Sequence, residues 1–383
     1  MASLSVAQNT ADASFVTISG TVKDKDSKKN IGNVSISLDA THIATVSNED
    51  GTFSLTIPTT SANGKIKAEQ LGYFSTTISL SDILVNENSI TILMTSSAKM
   101  LKEVVVRGGK PDEIVAEALK KIPVNYSHDK NLFTAFYRET VQKGKRYIGV
   151  SEAIVDVFKT PYTRRMNNGE RVQIKKGRRL ISQNNRDTLS VKIVGGPTLP
   201  VIIDFVKNHD FLFGYDDLAY YNFKMEKPVS IDDRMQYVIR FTPKVKLDYA
   251  LCHGLLYIDQ ETLSFSKAEF ELDMSDRNKA TNAILRKKPH GLHFKPQEVA
   301  FTVTYRLEDG VSYLNYIKTN TRFKCDWKRR LFSSGYTTCA EMVMVDRIDN
   351  PAEGISRKLA FGNNDIFYDA VTDYWDADFL ERL

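Results

Sequence analysis

The sequence has little of what a membrane-spanning protein or a familiar enzyme needs. None of its apolar runs reaches the roughly 18 consecutive residues of a transmembrane helix, so we predict no such helix. It also lacks a His-Glu-x-x-His zinc motif, a Gly-x-Ser-x-Gly nucleophile motif, a phosphate-binding loop and a dinucleotide-binding fingerprint. We therefore predict no enzymatic activity, no catalytic residues and no cofactor.

Histidine is scarce as well, with six in 383 residues. His290 and His293 have the spacing of a zinc-ligand pair, but Pro289 and Gly291 favour a loop at this point. No cysteine or acidic pair follows them at the distance that metal ligands need. We predict no metal site.

Acidic residues are too few to balance the basic ones, which leaves a net charge of +5. The basic residues form short clusters at 164–165, 175–179, 286–288 and 328–330. Since acidic residues are interleaved nearby, solvated strand ends and turns are one interpretation, and contact with a polyanion is the other. Motifs of nucleic-acid-binding proteins are missing, so the phosphate-rich face of an outer membrane is favoured over nucleic acid as the polyanion.

Only three cysteines occur, Cys252, Cys325 and Cys339. Cys252 lies in an apolar strand, which favours a buried free thiol. Residues 321–327 and 336–345 read as two strands, and a hairpin folded about Phe332 would place Cys325 opposite Cys339. Opposed residues of neighbouring strands are within disulfide reach. We predict that these two cysteines face one another and are bonded in an oxidising compartment.

Short strands and turns fill residues 15–97. Apolar and polar residues alternate over 15–22, 34–38 and 53–57, as in half-buried strands. The turn at 48–51 ends in Gly51, a residue suited to a positive φ. About seven such strands predict a Greek-key β-sandwich.

The N-terminal motifs also resemble a known family. Gly20-Thr21-Val22, the segments 31–36 and 45–55, and Leu71-Gly72-Tyr73 resemble a carboxypeptidase-regulatory-like domain. That family is a transthyretin-like β-sandwich common at the N-termini of exported outer-membrane proteins of Bacteroidetes-type bacteria. The resemblance implies a non-catalytic accessory module. Residues 1–14 fit either a disordered terminus or the remnant of a signal peptide, since Ser5-Val6-Ala7 resembles a cleavage site.

Residues 98–110 divide the chain into two unlike parts. Val104, Val105 and Val106 stand between charged residues and Gly108-Gly109, which predicts a linker strand. In transporters with the same module, a similar segment can be captured by edge pairing with a partner protein. We therefore interpret 98–110 as a linker strand and mark Val104, Val105 and Val106 as a candidate edge-strand partner site.

Residues 111–383 predict a larger α+β domain. Pro111 to Ile122 has the apolar stripe of an amphipathic helix that Pro123 stops, and 201–207 reads as a short apolar helix. A strand from Gly254 to Asp259, a turn and a strand at 267–272 resemble the curved half-barrel sheets of outer-membrane lipoprotein carriers. That resemblance implies a curved antiparallel sheet around a helix, with an apolar cavity.

Two further predictions concern side chains of this domain. The aromatic residues Phe205, Phe211, Phe213 and Tyr215 are candidates to line the apolar cavity, with an ordinary core as the alternative. Arg138 lies on a strand and needs a carboxylate partner from elsewhere if it is buried.

The sequence predicts a mainly β chain, an N-terminal sandwich followed by a larger antiparallel-sheet domain. We expect a non-catalytic exported protein of the periplasm or outer membrane that binds an envelope protein or an apolar ligand, with peripheral outer-membrane association. Its role would be adaptor or binding protein in envelope assembly or nutrient uptake. The alternative is a hydrolase whose catalytic residues are dispersed along the chain, because paired carboxylates across a cleft leave no sequence motif.

Overall fold

A computed structural model describes residues 15–39, 44–48, 50–58, 61, 63–84, 89–97, 109–144, 146–164, 169–181, 191–193, 195–214, 216–327, 333–362 and 365–374. Contacts between its elements divide the chain into two compact units. The first comprises residues within 1–70 and 74–96, and the second comprises residues within 71–73 and 97–377.

The first unit is a β-sandwich. Its described elements are β1 (Phe15–Asp24), β2 (Ser35–Leu38), β3 (Ala44–Val46), β4 (Thr52–Pro58), β5 (Lys65–Glu69), β6 (Thr76–Ser79), α1 (Leu80–Leu84) and β7 (Ser89–Met94). One sheet has the order β4-β1-β7 and the other has the order β3-β2-β5-β6. Seven described strands in two small sheets confirm the predicted sandwich.

Alternating residues of these strands build the sandwich core. Ile18 and Val22 of β1, Ile36 of β2 and Ile66 of β5 are fully buried, while their strand neighbours are polar. Gly51 has φ 78° in the turn before β4, as predicted. A Cβ there would lie 2.8 Å from the Val22 carbonyl oxygen, so the turn needs glycine.

The second unit contains one long antiparallel sheet and short helices. Its elements are α2 (Pro111–Lys120), α3 (Ile122–Asn125), β8 (Asn131–Lys143), β9 (Arg146–Lys159), β10 (Arg171–Ile181), β11 (Lys192–Ile193), α4 (Thr198–Ile203), β12 (Tyr221–Met225), β13 (Val229–Ile231), β14 (Arg234–Pro243), β15 (Cys252–Asp259), β16 (Phe265–Leu272), α5 (Arg277–Ile284), β17 (Leu285–Lys287), β18 (Leu292–Glu308), β19 (Val311–Trp327), β20 (Ser334–Asp349) and α6 (Phe367–Ala370). The sheet runs β10-β9-β8-β20-β19-β18-β16-β15-β14-β12, with β13 beside β14, and β11 pairs separately with β17.

This curved antiparallel sheet confirms the predicted fold class of the second part. One large core covers it, to which α2 contributes the four buried residues Ile114, Val115, Ala118 and Leu119. Gly254 lets β15 approach β16 closely, since a Cβ there would lie 2.1 Å from the Glu269 carbonyl oxygen.

The ends of two predicted helices need correction. Helix α2 ends at Lys120, and Pro123 lies within the first turn of α3 and does not stop α2. Proline is tolerated there because the first amide groups of a helix have no intrahelical acceptor. Helix α4 covers Thr198–Ile203, and the chain continues as turns through residue 207.

The predicted pairing of Cys325 with Cys339 is wrong. Strands β19 and β20 pair in a register that sets Cys325 opposite Ser334 and Cys339 opposite Asn320. The partner of Cys325 is therefore five residues before Cys339 on β20, which places Cys339 ~17 Å along its strand at ~3.4 Å per residue. An odd offset also puts the two side chains on opposite faces of the sheet. None of the three cysteines forms a disulfide.

No helix among the described residues is long and apolar enough to cross a membrane.

Candidate functional site

A charged cluster lies inside the core of the second unit. Lys159, the last residue of β9, and Asp204, which follows α4, form an ion pair, and both side chains are 0% exposed. Asp204 also accepts hydrogen bonds from the hydroxyl of Tyr162 at 2.8 Å and from that of Tyr305 at 2.7 Å. One carboxylate thus joins three donors that come from two separate parts of the chain.

A third tyrosine packs beside the other two. The Tyr126 ring lies 5.2 Å from the Tyr162 ring and 5.4 Å from the Tyr305 ring. Its hydroxyl donates to the carbonyl of Phe265 and accepts from the amide of the same residue, at 3.0 and 2.9 Å. Burial raises the pKa of all three tyrosines well above the ordinary value. Their hydroxyl groups therefore stay protonated and donate.

A second ion pair lies next to the first. The Lys207 ammonium is 3.4 Å from Glu170 and donates to the backbone carbonyls of Pro161 and Arg164, each at 2.6 Å. Burial lowers the pKa of Lys207. Burial opposes the charge on Glu170 too, but the Thr160 hydroxyl and the Lys207 ammonium stabilise the carboxylate and hold its pKa below the ordinary value.

The cluster balances two ammonium groups with two carboxylates out of reach of solvent. Buried ion pairs are tolerated when further hydrogen bonds satisfy their remaining donors and acceptors. This cluster supplies such bonds except at one oxygen of Glu170, which is buried without a hydrogen-bond partner. A substrate would find no open face on the Lys159–Asp204 pair. The arrangement therefore fixes the 204–207 segment to the sheet.

An opening of about 410 Å³ lies at the surface near Glu170. The guanidinium of Arg171 donates to the Ile355 carbonyl at 2.6 Å, and the amide of Phe361 donates to the Val172 carbonyl at 2.7 Å. These two bonds attach the 355–361 segment to β10 as one wall of the opening. The lining residues are Glu170, Arg171, Thr198, Arg357, Ala360, Phe361 and Gly362.

Arg138 has the carboxylate partner that the sequence led us to expect. Its guanidinium lies 2.8 Å from Glu341 on the adjacent strand β20, and both side chains are buried. Tyr316 donates to the other oxygen of Glu341 at 2.9 Å. The neighbouring Glu139 accepts from the Tyr137 hydroxyl and from the Gly196 amide, and burial raises its pKa. These groups are engaged in structural contacts.

The candidate cavity residues lie in aromatic contacts of the core. Phe205 packs edge-on against Phe265, with ring centroids 5.2 Å apart, and Phe213 packs against Phe241 at 5.3 Å. Phe211 is partly buried and lies 5.4 Å from Phe301. These contacts fit the ordinary core named as the alternative, and a cavity around these residues stays a prediction. Tyr215 lies outside the described residues.

The candidate partner strand Val104, Val105 and Val106 also lies outside the described residues. Among the described residues of the first unit, the exposed large apolar side chains are Phe74 at 42% and Leu93 at 41%. The Phe74 amide donates to the Thr95 carbonyl at 2.9 Å, so both side chains belong to the β7 side of the sandwich. Sequence reasoning did not single out this apolar pair. In the part of the chain that the structure describes, no three His, Cys, Asp or Glu residues are grouped so that they could hold a metal ion.

Several solved structures match this chain with low similarity. A DUF1329 family protein from Desulfovibrio piger is 12% identical with a TM-score of 0.28, and the match covers 64% of this chain and 96% of that one. A putative outer membrane lipoprotein-sorting protein domain from Vibrio parahaemolyticus is 13% identical with a TM-score of 0.28, covering 65% and 94%. A LolA superfamily protein from Nitrosomonas europaea is 14% identical with a TM-score of 0.20, covering 62% and 95%.

No curated protein matches the chain. The N-terminal part does match a family model. Residues 18–106 match the CarboxypepD_reg-like domain, which confirms the family resemblance of the N-terminal motifs.

Proposed function

We propose that this chain is an exported, non-catalytic binding protein of the bacterial envelope, located in the periplasm or at the outer membrane. The CarboxypepD_reg-like unit serves as an adaptor that holds an envelope protein partner. The antiparallel-sheet unit serves as the binding domain. The two would act together in envelope assembly or nutrient uptake. We further propose the divisions 15–97 for the sandwich, 98–110 for the linker strand and 111–383 for the sheet domain.

The observation that carries the binding role is the position of the ionisable groups in the second unit. An enzyme needs polar groups with perturbed pKa values that converge on a cleft open to substrate. Here Lys159 and Asp204 pair with each other at 0% exposure, and Arg138 pairs with buried Glu341. Such placement supports a rigid body that binds, and it speaks against the hydrolase alternative.

The adaptor role rests on the first unit. Its match to an accessory domain supports a module that positions other proteins. Phe74 and Leu93 are exposed apolar side chains near β7, and contiguous exposed apolar groups mark contact sites. We propose this pair as part of the surface that meets the partner.

Affinity capture from detergent-solubilised envelopes tests the adaptor role. The full chain is compared with a Phe74→Asp/Leu93→Asp variant and with a Tyr249→Asp control, since Tyr249 is an exposed aromatic residue of the second unit. We expect one stoichiometric envelope protein with the wild type and the control, and its loss with the double variant. Equal recovery with all three chains would contradict the proposed surface.

A hydrolase panel separates the two function classes. Esterase, peptidase and glycosidase substrates are incubated with the wild type and with a Glu170→Gln/Glu139→Gln variant. We expect no turnover by either chain. Turnover that the substitutions abolish would favour the hydrolase and remove the non-catalytic proposal.

A further inference from the structure

One end of the long sheet carries a concentration of positive charge. Strands β18 and β19 and the short strand β17 reach this end, and β8 turns into β9 there. We call the following exposed residues the basic tip: Arg146, Arg286, Lys287, Lys288, Lys295 and Lys324. The acidic residue among them, Asp326, is paired with Lys295 at 2.6 Å.

The cations of the basic tip stand on both faces of the sheet. Lys295 and Lys324 are directly opposed on β18 and β19, so they share one face. Tyr336 lies directly opposite Phe323, and their rings stack with centroids 5.6 Å apart. Lys143 lies opposite Tyr336 on the next strand, and Arg146 lies opposite Lys143. Residues that are directly opposed across strands share one face of the sheet. Since residues 323 and 324 point to opposite faces, Arg146 stands on the face away from Lys324.

A small core supports the basic tip from within. Phe294 lies 4.9 Å from Phe323, and Val191, Leu292 and Cys325 are buried around them. The exposed Tyr147 follows Arg146, with 46% of its surface open. The charges are thus held on a packed scaffold, and an aromatic side chain lies beside them.

The turns at the opposite ends of β8, β14, β15, β18 and β20 are rich in acidic residues. The turns and strand ends there carry Asp129, Asp232, Asp233, Asp259, Glu261, Glu308, Asp309, Asp346 and Asp349 against Lys130, Arg234, Arg306 and Arg347. The length of β18 separates the two ends by ~50 Å at ~3.3 Å per residue. Screening at physiological salt acts over ~8 Å, so an anionic surface in contact with the basic tip does not sense the acidic end.

We propose that the basic tip docks this protein on a membrane surface rich in anionic lipid headgroups. Clustered lysine and arginine side chains are attracted by the negative potential of such a surface, and an adjacent tyrosine suits the headgroup region. The charge difference between the two ends orients the long axis of the sheet along the membrane normal. This inference deepens the proposed envelope role by naming the surface that would contact the membrane.

A membrane explains the arrangement better than a nucleic acid does. A nucleic-acid groove places its cations along one face that follows the phosphate backbone. The basic tip places its cations on both faces of the sheet end, so the positive charge surrounds that end and does not form a single groove. A broad, planar anion distribution is complementary to that shape.

Vesicle co-sedimentation of the full chain tests the proposal. Phosphatidylcholine vesicles with and without about 30% phosphatidylglycerol are compared at about 0.1 M and about 0.5 M salt. The test variant is Lys287→Gln/Lys288→Gln/Lys324→Gln. The control is Lys130→Gln/Lys227→Gln/Lys358→Gln, which removes the same charge from exposed lysines elsewhere in the second unit.

We expect binding only to the anionic vesicles and at low salt. A lysine near such a surface contributes roughly a fivefold increase in affinity, so the test variant should lose about a hundredfold and the control should lose little. Equal loss in both variants, or no binding by the wild type, would overturn the proposal. Tighter binding to duplex DNA, or displacement by inorganic phosphate, would also overturn it. Purified vesicles contain no partner protein, so this result is independent of the capture experiment.

Discussion

Removal of the Asp204 carboxylate tests how much the buried cluster contributes to the stability of the second unit. In Asp204→Leu, the ammonium of Lys159 keeps its charge in the core without a partner, and the hydroxyls of Tyr162 and Tyr305 lose their acceptor. Breaking a buried ion pair from one side costs about 3–5 kcal/mol of unfolding free energy. We expect a loss of that size.

The double variant Lys159→Met/Asp204→Leu distinguishes an unpaired charge from simple loss of packing. It removes both charges and leaves apolar groups of similar size, a change that is often neutral or stabilising. We therefore expect it to be more stable than Asp204→Leu alone. The coupling free energy between the two positions should be about 2 kcal/mol or more in a double-mutant cycle.

Urea unfolding followed by tryptophan fluorescence gives these numbers. Both tryptophans, Trp327 and Trp375, lie in the C-terminal part of the sequence, so the signal follows that part. Glu226→Gln, which breaks the solvent-exposed pair with Arg240, is the matched control and should leave the midpoint near that of the wild type. Additive effects at Lys159 and Asp204, or a loss below about 1 kcal/mol in Asp204→Leu, would refute the reasoning.

Two further predictions concern protonation and thiols. Burial raises the pKa of Tyr305, so the folded state keeps a proton that the unfolded state releases above about pH 10, and stability falls as pH rises. In Tyr305→Phe, the unfolding free energy should fall by about 1.4 kcal/mol less than in the wild type between about pH 9 and about pH 11, measured by urea unfolding; an equal fall in both chains would contradict the assignment. Burial also raises the pKa of Cys325 to about 11 and that of Cys252 to about 12. Under native conditions these two thiols should resist an aromatic disulfide reagent. After denaturation without reductant, all three cysteines should react with it. A chain mass lower than that of the reduced chain by two hydrogen atoms would show a disulfide and contradict this prediction.

The sequence predicted those features of the fold that depend on residues close together in the chain. Alternation over residues 15–22 and the glycine of the 48–51 turn led to β1 and to the positive φ of Gly51. Proline at the first helical position and the apolar stripe after it led to α2. These features depend on residues within a few positions of one another, and a sequence shows them directly.

The cysteine pairing failed for a different reason. A hairpin register depends on where the chain turns, and a shift of the turn by about three residues moves each strand partner by twice as many positions. The sequence between Cys325 and Cys339 offers several polar turn positions, and alternation alone does not select one of them. The predicted disulfide therefore rested on a register that the sequence leaves open.

The buried cluster shows what a single sequence hides. Asp204 stands in the apolar run Val201 to Val206, and a lone acid in such a run indicates a buried partner. The identity of that partner was out of reach, because Lys159 and Tyr305 are 45 and 101 positions away. Only the sheet topology brings them together. By contrast, the position of Arg138 on a strand predicted a carboxylate partner, and Glu341 on the neighbouring strand is that partner.

Site-specific photo-cross-linking in intact cells tests the central claim, that this is an envelope binding protein, most directly. A photoreactive phenylalanine analogue replaces Phe74 in the full chain, and the same analogue at Tyr249 serves as the control position. The account predicts one discrete adduct from position 74 with a protein of the periplasm or outer membrane, and none from position 249. No adduct from position 74, or the same adducts from both positions, would contradict it.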